Sequence, residues 1–149
     1  MEKAFNNYAA RAGLIPWREV NGSVLFFVRK SSDPKFGGPD WQIAKGVIDP
    51  GETAKEAALR EGHEELGVTL ESIDITTLVQ LPTIRMTKYQ YTVESYSVRV
   101  TDLTKLVDPH YETRDTMWME YDVFQRIGRT DNRTIIQHAY ERIKNGEQI

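Results

Sequence analysis

Polar and apolar residues alternate along much of the chain, and this pattern predicts a mostly β protein. Residues 11–20 and 22–30 are rich in β-branched and aromatic side chains and read as two strands. The Asn21-Gly22 dipeptide between them is favoured in tight hairpin turns, so we expect the two strands to pair. Further strands are predicted at residues 41–46, 75–81, 89–100 and 116–121.

Helices are predicted in three segments. One begins near Thr53, because Thr53 followed by Glu56 is a capping-box pattern, and it ends at Gly67. The others lie at about residues 122–127 and 132–144. The last has a helical apolar stripe, formed by Ile135, Ile136, Ala139, Tyr140 and Ile143. Helices in the middle and at the end of a mostly β chain predict an α/β fold of the α+β type, with a mixed sheet packed between helices.

Length and composition limit the protein classes. The 149 residues fit one domain, residues 1–149, and the absence of cysteine excludes disulfides and thiolate metal sites. A formal charge of -3 provides no basic surface for nucleic acid. Neither a membrane span nor a secretion signal is found in the sequence, so we expect a cytoplasmic protein. The oligomeric state stays open, a homodimer included.

Three glutamates share one face of the first predicted helix. At 100° per residue, Glu61, Glu64 and Glu65 fall within an arc of about 100°. They lie in the C-terminal half, where the helix dipole disfavours each anion by about 0.3–1 kcal/mol and like charges repel. The face is either a solvated acidic surface or a seat for a hard divalent cation such as Mg²⁺, which joins carboxylates to substrate phosphates.

The segment from Gly46 to Val68 resembles the Nudix box. The matching positions are Gly46, Glu52, Arg60, Glu61, Glu64, Glu65, Gly67 and Val68. One position departs, because Gly62 stands where the pattern has an aliphatic residue. Glycine inside a helix costs about 1 kcal/mol relative to alanine, so we expect a bulky neighbour against Gly62. The resemblance implies a Nudix-like α/β/α sandwich with a central mixed β-sheet.

The resemblance also implies an activity, which is hydrolysis of a phosphoanhydride in a nucleoside diphosphate linked to another group, with Mg²⁺ or Mn²⁺. Attack of water on a phosphorus surrounded by anionic oxygens needs charge neutralised and water activated. By their positions in the motif, the resemblance implies that the metal ligands are Glu61, Glu64, Glu65 and the Gly46 carbonyl. In the same way, Arg60 is expected to orient a box carboxylate, Glu52 to brace the loop against the helix, and Gly67 to end the helix.

The general base is not fixed by the motif. The family often takes it from a loop that precedes a tryptophan-containing strand, which here is residues 108–121. Glu112 is the first candidate, with Asp115 and Glu120 as alternatives. The three histidines have no spacing of this kind and are interpreted as surface or packing residues, namely His63, His110 and His138.

The markers of substrate class disagree. Trp41 and Lys45 resemble the residues of Nudix enzymes that cut dinucleoside polyphosphates or inositol pyrophosphates, whereas Pro82, about fifteen residues past the box, is typical of ADP-ribose hydrolases. Arg85 and Tyr89 are expected to steer phosphates and stack a base. Dinucleoside polyphosphates are narrowly favoured. ADP-ribose, nucleoside triphosphates, an RNA 5′ end and a non-catalytic nucleotide-binding module are the alternatives.

Overall fold

A β-hairpin forms the middle of the sheet, as the Asn-Gly pair predicts. The computed structural model describes residues 9–35 and 38–146. Strands β1 (Ala9–Val20) and β2 (Ser23–Ser31) pair antiparallel through their adjoining ends. Asn21 and Gly22 have positive φ angles of 53° and 84°. Both turn residues therefore have the left-handed conformation that a type I′ hairpin turn requires.

The sheet has seven strands within the described residues and is mixed. The remaining strands are β3 (Ala44–Val47), β4 (Ile73–Gln80), β5 (Ile84–Met86), β6 (Tyr91–Val100) and β7 (Thr113–Glu120). The order is β4-β6-β1-β2-β7, with β3 paired to β1 and β5 paired to β6. Only the β1–β6 pairing is parallel among the described strands. The predicted mixed sheet is confirmed.

One edge of β1 serves two partners, and this division positions the site. Residues 17–20 of β1 pair with β2, while residues 11–14 pair with β3. Strand β3 therefore takes the place beside β1 that β2 leaves. As a result, Lys45 and Gly46 lie within the sheet, next to β1.

Helices cover both faces of the sheet, which confirms the predicted sandwich. Helix α1 (Ala54–Leu66) packs on one face, and helices α2 (Tyr121–Ile127) and α3 (Arg133–Gly146) pack on the other. Each face has its own apolar cluster. The helix residues buried in these clusters are Ala57, Ala58 and Leu66 of α1, Phe124 of α2, and Ile135, Ile136 and Ala139 of α3. No helix of the described chain is long and apolar enough to cross a membrane.

The ends of α1 have the predicted caps. The Thr53 hydroxyl accepts from the Glu56 N–H at 3.1 Å, and the Glu56 carboxylate accepts from the Thr53 N–H at 2.9 Å. Gly67 ends the helix with a φ of 72°. Inside the helix, a Cβ on Gly62 would collide with the side chain of Leu14 on β1. This leucine is the bulky neighbour expected at the unusual glycine, and the contact lets α1 lie close to the sheet.

Several predicted strand boundaries differ from the structure, and one strand was not predicted. The last predicted strand, residues 116–121, is observed as Thr113–Glu120, and Tyr121 begins α2. The segment 41–46 was expected to be one strand, but β3 covers only Ala44–Val47. Trp41 instead forms an isolated bridge to Gly128, and Gln42 forms one to Arg29 of β2. Because the two residues pair with different segments, they do not extend β3. The three-residue β5 was not predicted, since so short a strand with an exposed arginine in its centre has no distinct alternation.

Candidate active site

A cleft of about 620 Å³ opens where α1, β3 and the loop before β7 meet. Four carboxylates and five cations line it. The carboxylates belong to Glu61, Glu64, Glu65 and Glu112, and the cations to Arg11, Arg29, Lys35, Lys45 and Arg129. Gln42, Gly46, Tyr89 and Tyr91 complete the lining. The structure therefore brings the three box glutamates, the Gly46 backbone and the first candidate base into one cleft.

Arg60 joins the loop before α1 to the helix. Its Nε and Nη2 atoms donate to the two oxygens of Glu52 at 2.8 and 3.0 Å. Nη2 also donates to the Val47 carbonyl at 3.0 Å. The hydrogen bond from Arg60, with one from the Asp49 N–H, lowers the pKa of Glu52 to about 2. The predicted brace between Glu52 and the helix thus acts through Arg60.

Arg60 also holds Glu61. Its Nη1 donates to the Glu61 Oε2 at 2.9 Å. Glu61 is only 7% exposed, and this burial raises the pKa of its carboxyl, while the charge of Arg60 opposes the shift. A Cβ on Gly46 would collide with the Glu61 carboxylate. Only glycine therefore lets the backbone of β3 approach this carboxylate.

Arg29, which belongs to the sheet, forms an ion pair with Glu65. The Glu65 Oε1 accepts from the Lys45 N–H at 3.0 Å and lies 3.7 Å from the Arg29 Nη1. Burial raises the pKa of Glu65 to about 7, against the effect of Arg29. Arg29 also donates to the Thr113 hydroxyl at 2.7 Å and to the Glu112 carbonyl at 2.8 Å. One buried arginine therefore fixes the end of α1 and the loop that carries Glu112.

Glu64 is the least constrained of the three box glutamates. Its side chain is 31% exposed, and its carboxylate lies 3.5 Å from the Arg60 Nη1. Its backbone carbonyl accepts from the His110 N–H at 2.7 Å, which ties the loop before Glu112 to α1. The Glu64 carboxylate is thus placed at the cleft without short hydrogen bonds from the described side chains.

The three candidate bases have different positions. Glu112 lines the cleft, and its charge helps to raise the pKa of Glu61. Asp115 is exposed on β7 and pairs with Arg114 at 3.2 Å. Glu120 is the last residue of β7, and Glu112 directly precedes the first. An extended strand of this length places the two ends of β7 about 23 Å apart, so Glu120 lies far from Glu112. Glu112 alone of the three lines the cleft.

The predicted substrate residues are split between two neighbouring clefts. Lys45 lines the first cleft, and Tyr89 lines both. Arg85 lines the second, which has a volume of about 760 Å³. Trp41 lines neither, because its ring packs against the apolar core with the Lys30 Nζ 5.1 Å from the ring centroid.

Several residues at the cleft had no signal in the sequence. They are Arg11, Arg29 and Arg129. Tyr91 also lines the cleft. The Arg11 Cζ lies 4.5 Å and the Lys45 Nζ 5.6 Å from the centroid of the Tyr91 ring. Burial, together with the charges of Arg129 and Arg11, lowers the pKa of Lys45 to about 8. Strand pairing brings these residues together from distant parts of the chain.

Comparison with known proteins decides the family. Residues 7–139 match the family model described as NUDIX domain. The chain belongs to the Nudix family. Curated relatives of this Nudix chain include an RNA pyrophosphohydrolase of Erythrobacter litoralis, 42% identical over 63 residues, which are 42% of this chain and 38% of the relative. Another is an asymmetrical bis(5′-nucleosyl)-tetraphosphatase of Caenorhabditis elegans, 38% identical over 64 residues, which are 43% and 44% of the two chains. The matched segments thus span less than half the length of these relatives.

Solved structures show that the Nudix fold extends over the chain. A C. elegans Ap4A hydrolase binary complex has a TM-score of 0.73 at 22% identity, covering 92% of this chain and 98% of that chain. The NUDIX domain of Shewanella oneidensis NrtR complexed with ADP ribose has a TM-score of 0.72 at 17% identity, covering 96% and 93%. At these identities the likeness concerns the fold alone.

The Nudix family generally uses divalent metal ions, and the donors of the cleft fit such an ion. Glu61, Glu64, Glu65 and the Gly46 carbonyl supply oxygen donors, which Mg²⁺ and Mn²⁺ prefer. Within residues 9–35 and 38–146, no three acidic or histidine side chains form a ready-made ligand cage. Mg²⁺ does not need one, because it usually keeps several waters and takes one or two carboxylates plus substrate phosphates. The Glu61 carboxylate occupies the space that a side chain at position 46 would fill. Glycine at this position therefore lets the backbone of β3 lie against a carboxylate that can bind the ion.

Proposed function

We propose that this Nudix domain hydrolyses a phosphoanhydride bond in a nucleoside diphosphate linked to another group, with Mg²⁺ or Mn²⁺, and that it favours dinucleoside polyphosphates. The observation that carries the proposal is the lining of one cleft by four carboxylates and five cations. The carboxylates provide ligands for a divalent cation, and the cationic side chains bind phosphate oxygens. Both are needed when water attacks a phosphorus atom that carries anionic oxygens.

The carboxylates of the cleft have two roles in this reaction, metal binding and proton transfer. A bound divalent cation would neutralise charge on the phosphate oxygens and lower the pKa of the attacking water. The residues that would hold it are Glu61, Glu64, Glu65 and Gly46, the last through its carbonyl. Arg60 keeps the Glu61 carboxylate in place through the 2.9 Å hydrogen bond. Glu112 accepts the proton of the water as its oxygen bonds to phosphorus and the bond to the leaving phosphate oxygen breaks.

The number of cations favours a substrate with several phosphates. An ADP-ribose or sugar nucleotide carries two phosphates, whereas a dinucleoside tetraphosphate carries four. Four cationic side chains line the cleft besides Arg29, which is buried against Glu65, and they match the longer chain better. The asymmetrical tetraphosphatase of C. elegans, 38% identical over 64 residues, supports the same substrate class.

An RNA 5′ end is the second candidate, supported by the E. litoralis RNA pyrophosphohydrolase, 42% identical over 63 residues. Such a substrate also presents a short phosphate chain. The formal charge of -3 is unfavourable for holding the rest of an RNA by its phosphates. We therefore place it behind the dinucleoside polyphosphates.

A hydrolysis screen tests the proposal. Diadenosine tetraphosphate, ADP-ribose, ATP, a sugar nucleotide and a 5′-triphosphorylated oligonucleotide are incubated with Mg²⁺ or Mn²⁺, and the products are identified by mass. We expect the highest kcat/KM for diadenosine tetraphosphate. A higher value for the oligonucleotide would favour RNA processing. Tight nucleotide binding without turnover of any substrate would identify a non-catalytic nucleotide-binding module and overturn the proposal.

A further inference from the structure

Three cationic residues and one tyrosine lie beside the carboxylates of the cleft. We call Arg11, Lys45, Arg129 and Tyr91 the basic cluster. Strand register creates most of it. Arg11 lies two residues before Gly13, whose partner on β3 is Lys45, and Ala9 pairs with Tyr91 on the other side of β1. Because every second residue of a strand points to the same face, Arg11, Lys45 and Tyr91 come from three adjacent strands to one face.

Strand β3 separates the basic cluster from the metal side. Lys45 and Gly46 are consecutive residues of β3, so they face opposite sides of the sheet. Gly46 lies against the Glu61 carboxylate, while Lys45 points to the Tyr91 ring. Both sides line the same cleft. A long ligand in the cleft therefore meets the carboxylates and the basic cluster together.

The basic cluster contains hydrogen-bond donors that no described group satisfies. Tyr91 is only 6% exposed, and its buried hydroxyl has no hydrogen-bond partner within the described chain. The same holds for the buried Nε of Arg11. Burying a polar atom without a partner costs stability. A fold selected for stability alone would have phenylalanine at position 91.

Two cations of the cluster, Arg11 and Lys45, also lack an ion pair with a described carboxylate. Asp131 is the nearby carboxylate on this side, and its Oδ1 accepts from the Arg129 Nε at 2.6 Å and from the Asn132 amide at 3.1 Å. Its Oδ2 is buried without a partner. No ion pair to Arg11 or Lys45 is formed by any described carboxylate within 4.0 Å. Two close cations thus face the cleft without a counter-ion.

We propose that the Lys45 ammonium, the Arg11 guanidinium and the Tyr91 hydroxyl form a binding site for a phosphate group beyond the diphosphate held at the carboxylate side. A phosphate has the charge and the several acceptor oxygens that these three donors require. The site selects substrates with three or more consecutive phosphates. This selection rests on the proposed function, whereas the binding of the anion does not need turnover.

Titration with inorganic tripolyphosphate tests the site directly. Isothermal titration calorimetry in excess chelator compares the unmutated protein with Tyr91→Phe and Arg11→Gln. Phenylalanine keeps the ring and removes only the hydroxyl. We expect the unmutated protein to bind and each variant to bind about tenfold more weakly, as the loss of a hydrogen bond to a charged group predicts. The proposal fails if the unmutated protein does not bind, or if either variant binds equally well.

Matched controls come from the same strands. Tyr96 and Arg18 lie an odd number of residues from Tyr91 and Arg11, so they occupy the opposite face. Tyr96 belongs to the apolar cluster under α1, and Arg18 lies 5.4 Å from the Trp118 ring centroid. Tyr96→Phe and Arg18→Gln make the same chemical changes there. We expect both controls to bind tripolyphosphate like the unmutated protein, and weakened binding in them would overturn the assignment to one cluster.

Kinetics separate this inference from the proposed function. Tyr91→Phe should lower kcat/KM for diadenosine tetraphosphate about tenfold and leave kcat/KM for ADP-ribose within about twofold. Its melting temperature should be unchanged or higher, since an unpaired hydroxyl is removed. An equal loss on both substrates would overturn the phosphate site but not the hydrolase. Absence of hydrolysis on every substrate would overturn the proposed function, and the tripolyphosphate titration would still decide the anion site.

Discussion

The substitution Glu64→Gln should abolish most turnover and leave the metal-free fold intact. The Glu64 carboxylate is 31% exposed and has a 3.5 Å contact with Arg60. An exposed pair of this kind contributes about 0.3–0.5 kcal/mol. The substitution also relieves repulsion from Glu61 and an unfavourable helix-dipole interaction of about 0.3–1 kcal/mol. The two effects oppose each other, so we expect the free energy of unfolding without metal to change by less than about 0.5 kcal/mol.

Added Mg²⁺ should stabilise the unmutated protein more than the Glu64→Gln variant. A cation that binds only the folded state at about 100 times its Kd adds about 2.7 kcal/mol to the free energy of unfolding. In a chain of this size, that raises the melting temperature by roughly 5–10 °C. Removing a residue that only orients a metal ligand lowers metal affinity or activity about 10–100-fold. Glu64 is proposed as a ligand itself, so we expect Glu64→Gln to lower turnover at least about 100-fold. The melting temperature of the variant should respond to Mg²⁺ less than half as much.

The assay measures thermal unfolding of the unmutated protein and of Glu64→Gln, once with chelator and once with Mg²⁺. Turnover of diadenosine tetraphosphate is measured for both proteins. The control is Glu71→Gln, which removes an exposed carboxylate from the turn after α1. This control should keep both the Mg²⁺ response and the activity. A Glu64→Gln protein that is less stable by more than about 1 kcal/mol without metal, yet turns over normally, would show that Glu64 is structural and refute the metal assignment.

Three further predictions concern packing, proton transfer and acid stability. Gly62→Ala should lower the free energy of unfolding by about 1–3 kcal/mol in chemical denaturation because its Cβ collides with Leu14, whereas helix propensity alone predicts a gain of about 1 kcal/mol. Glu112→Gln should lower kcat at least about 100-fold in steady-state assays, and Asp115→Asn on the exposed strand should leave it within about twofold, so equal effects would remove Glu112 as the base. The pKa of Glu52 is lowered to about 2, so its stabilisation is complete above an unfolded pKa of about 4.3 and is lost as the pH falls towards 2. Glu52→Gln should flatten the unfolding free energy across that range, and an unchanged pH dependence would contradict the Arg60 brace.

The parts that sequence predicted are those set by local chemistry. The caps of α1 depend on Thr53, Glu56 and Gly67, which lie within one short segment. The common face of the box glutamates depends only on helical spacing. The fold class followed from the same local patterns. Glu112 was chosen from a resemblance, and the structure places it at the cleft.

The parts that sequence missed depend on long-range pairing. Arg11 meets Tyr91 because β1 and β6 run parallel, although 80 residues separate the two in sequence. Arg29 reaches Glu65 and Glu112 from β2, and nothing in its own segment indicates that. Strand order is not encoded in the alternation of a single strand. Trp41 was expected at the substrate because of its place before the box, but its ring packs against the core.

The central claim is that the carboxylates of the cleft hold a divalent cation that hydrolysis requires. The most direct measurement is turnover of diadenosine tetraphosphate by the unmutated protein, first with Mg²⁺, then with excess chelator, and then after Mg²⁺ or Mn²⁺ is restored. Hydrolysis should stop with chelator and return with either metal. Zn²⁺ is not expected to replace them, since the cleft has no cysteine or histidine ligands among its lining residues. Turnover that continues in excess chelator would contradict the account.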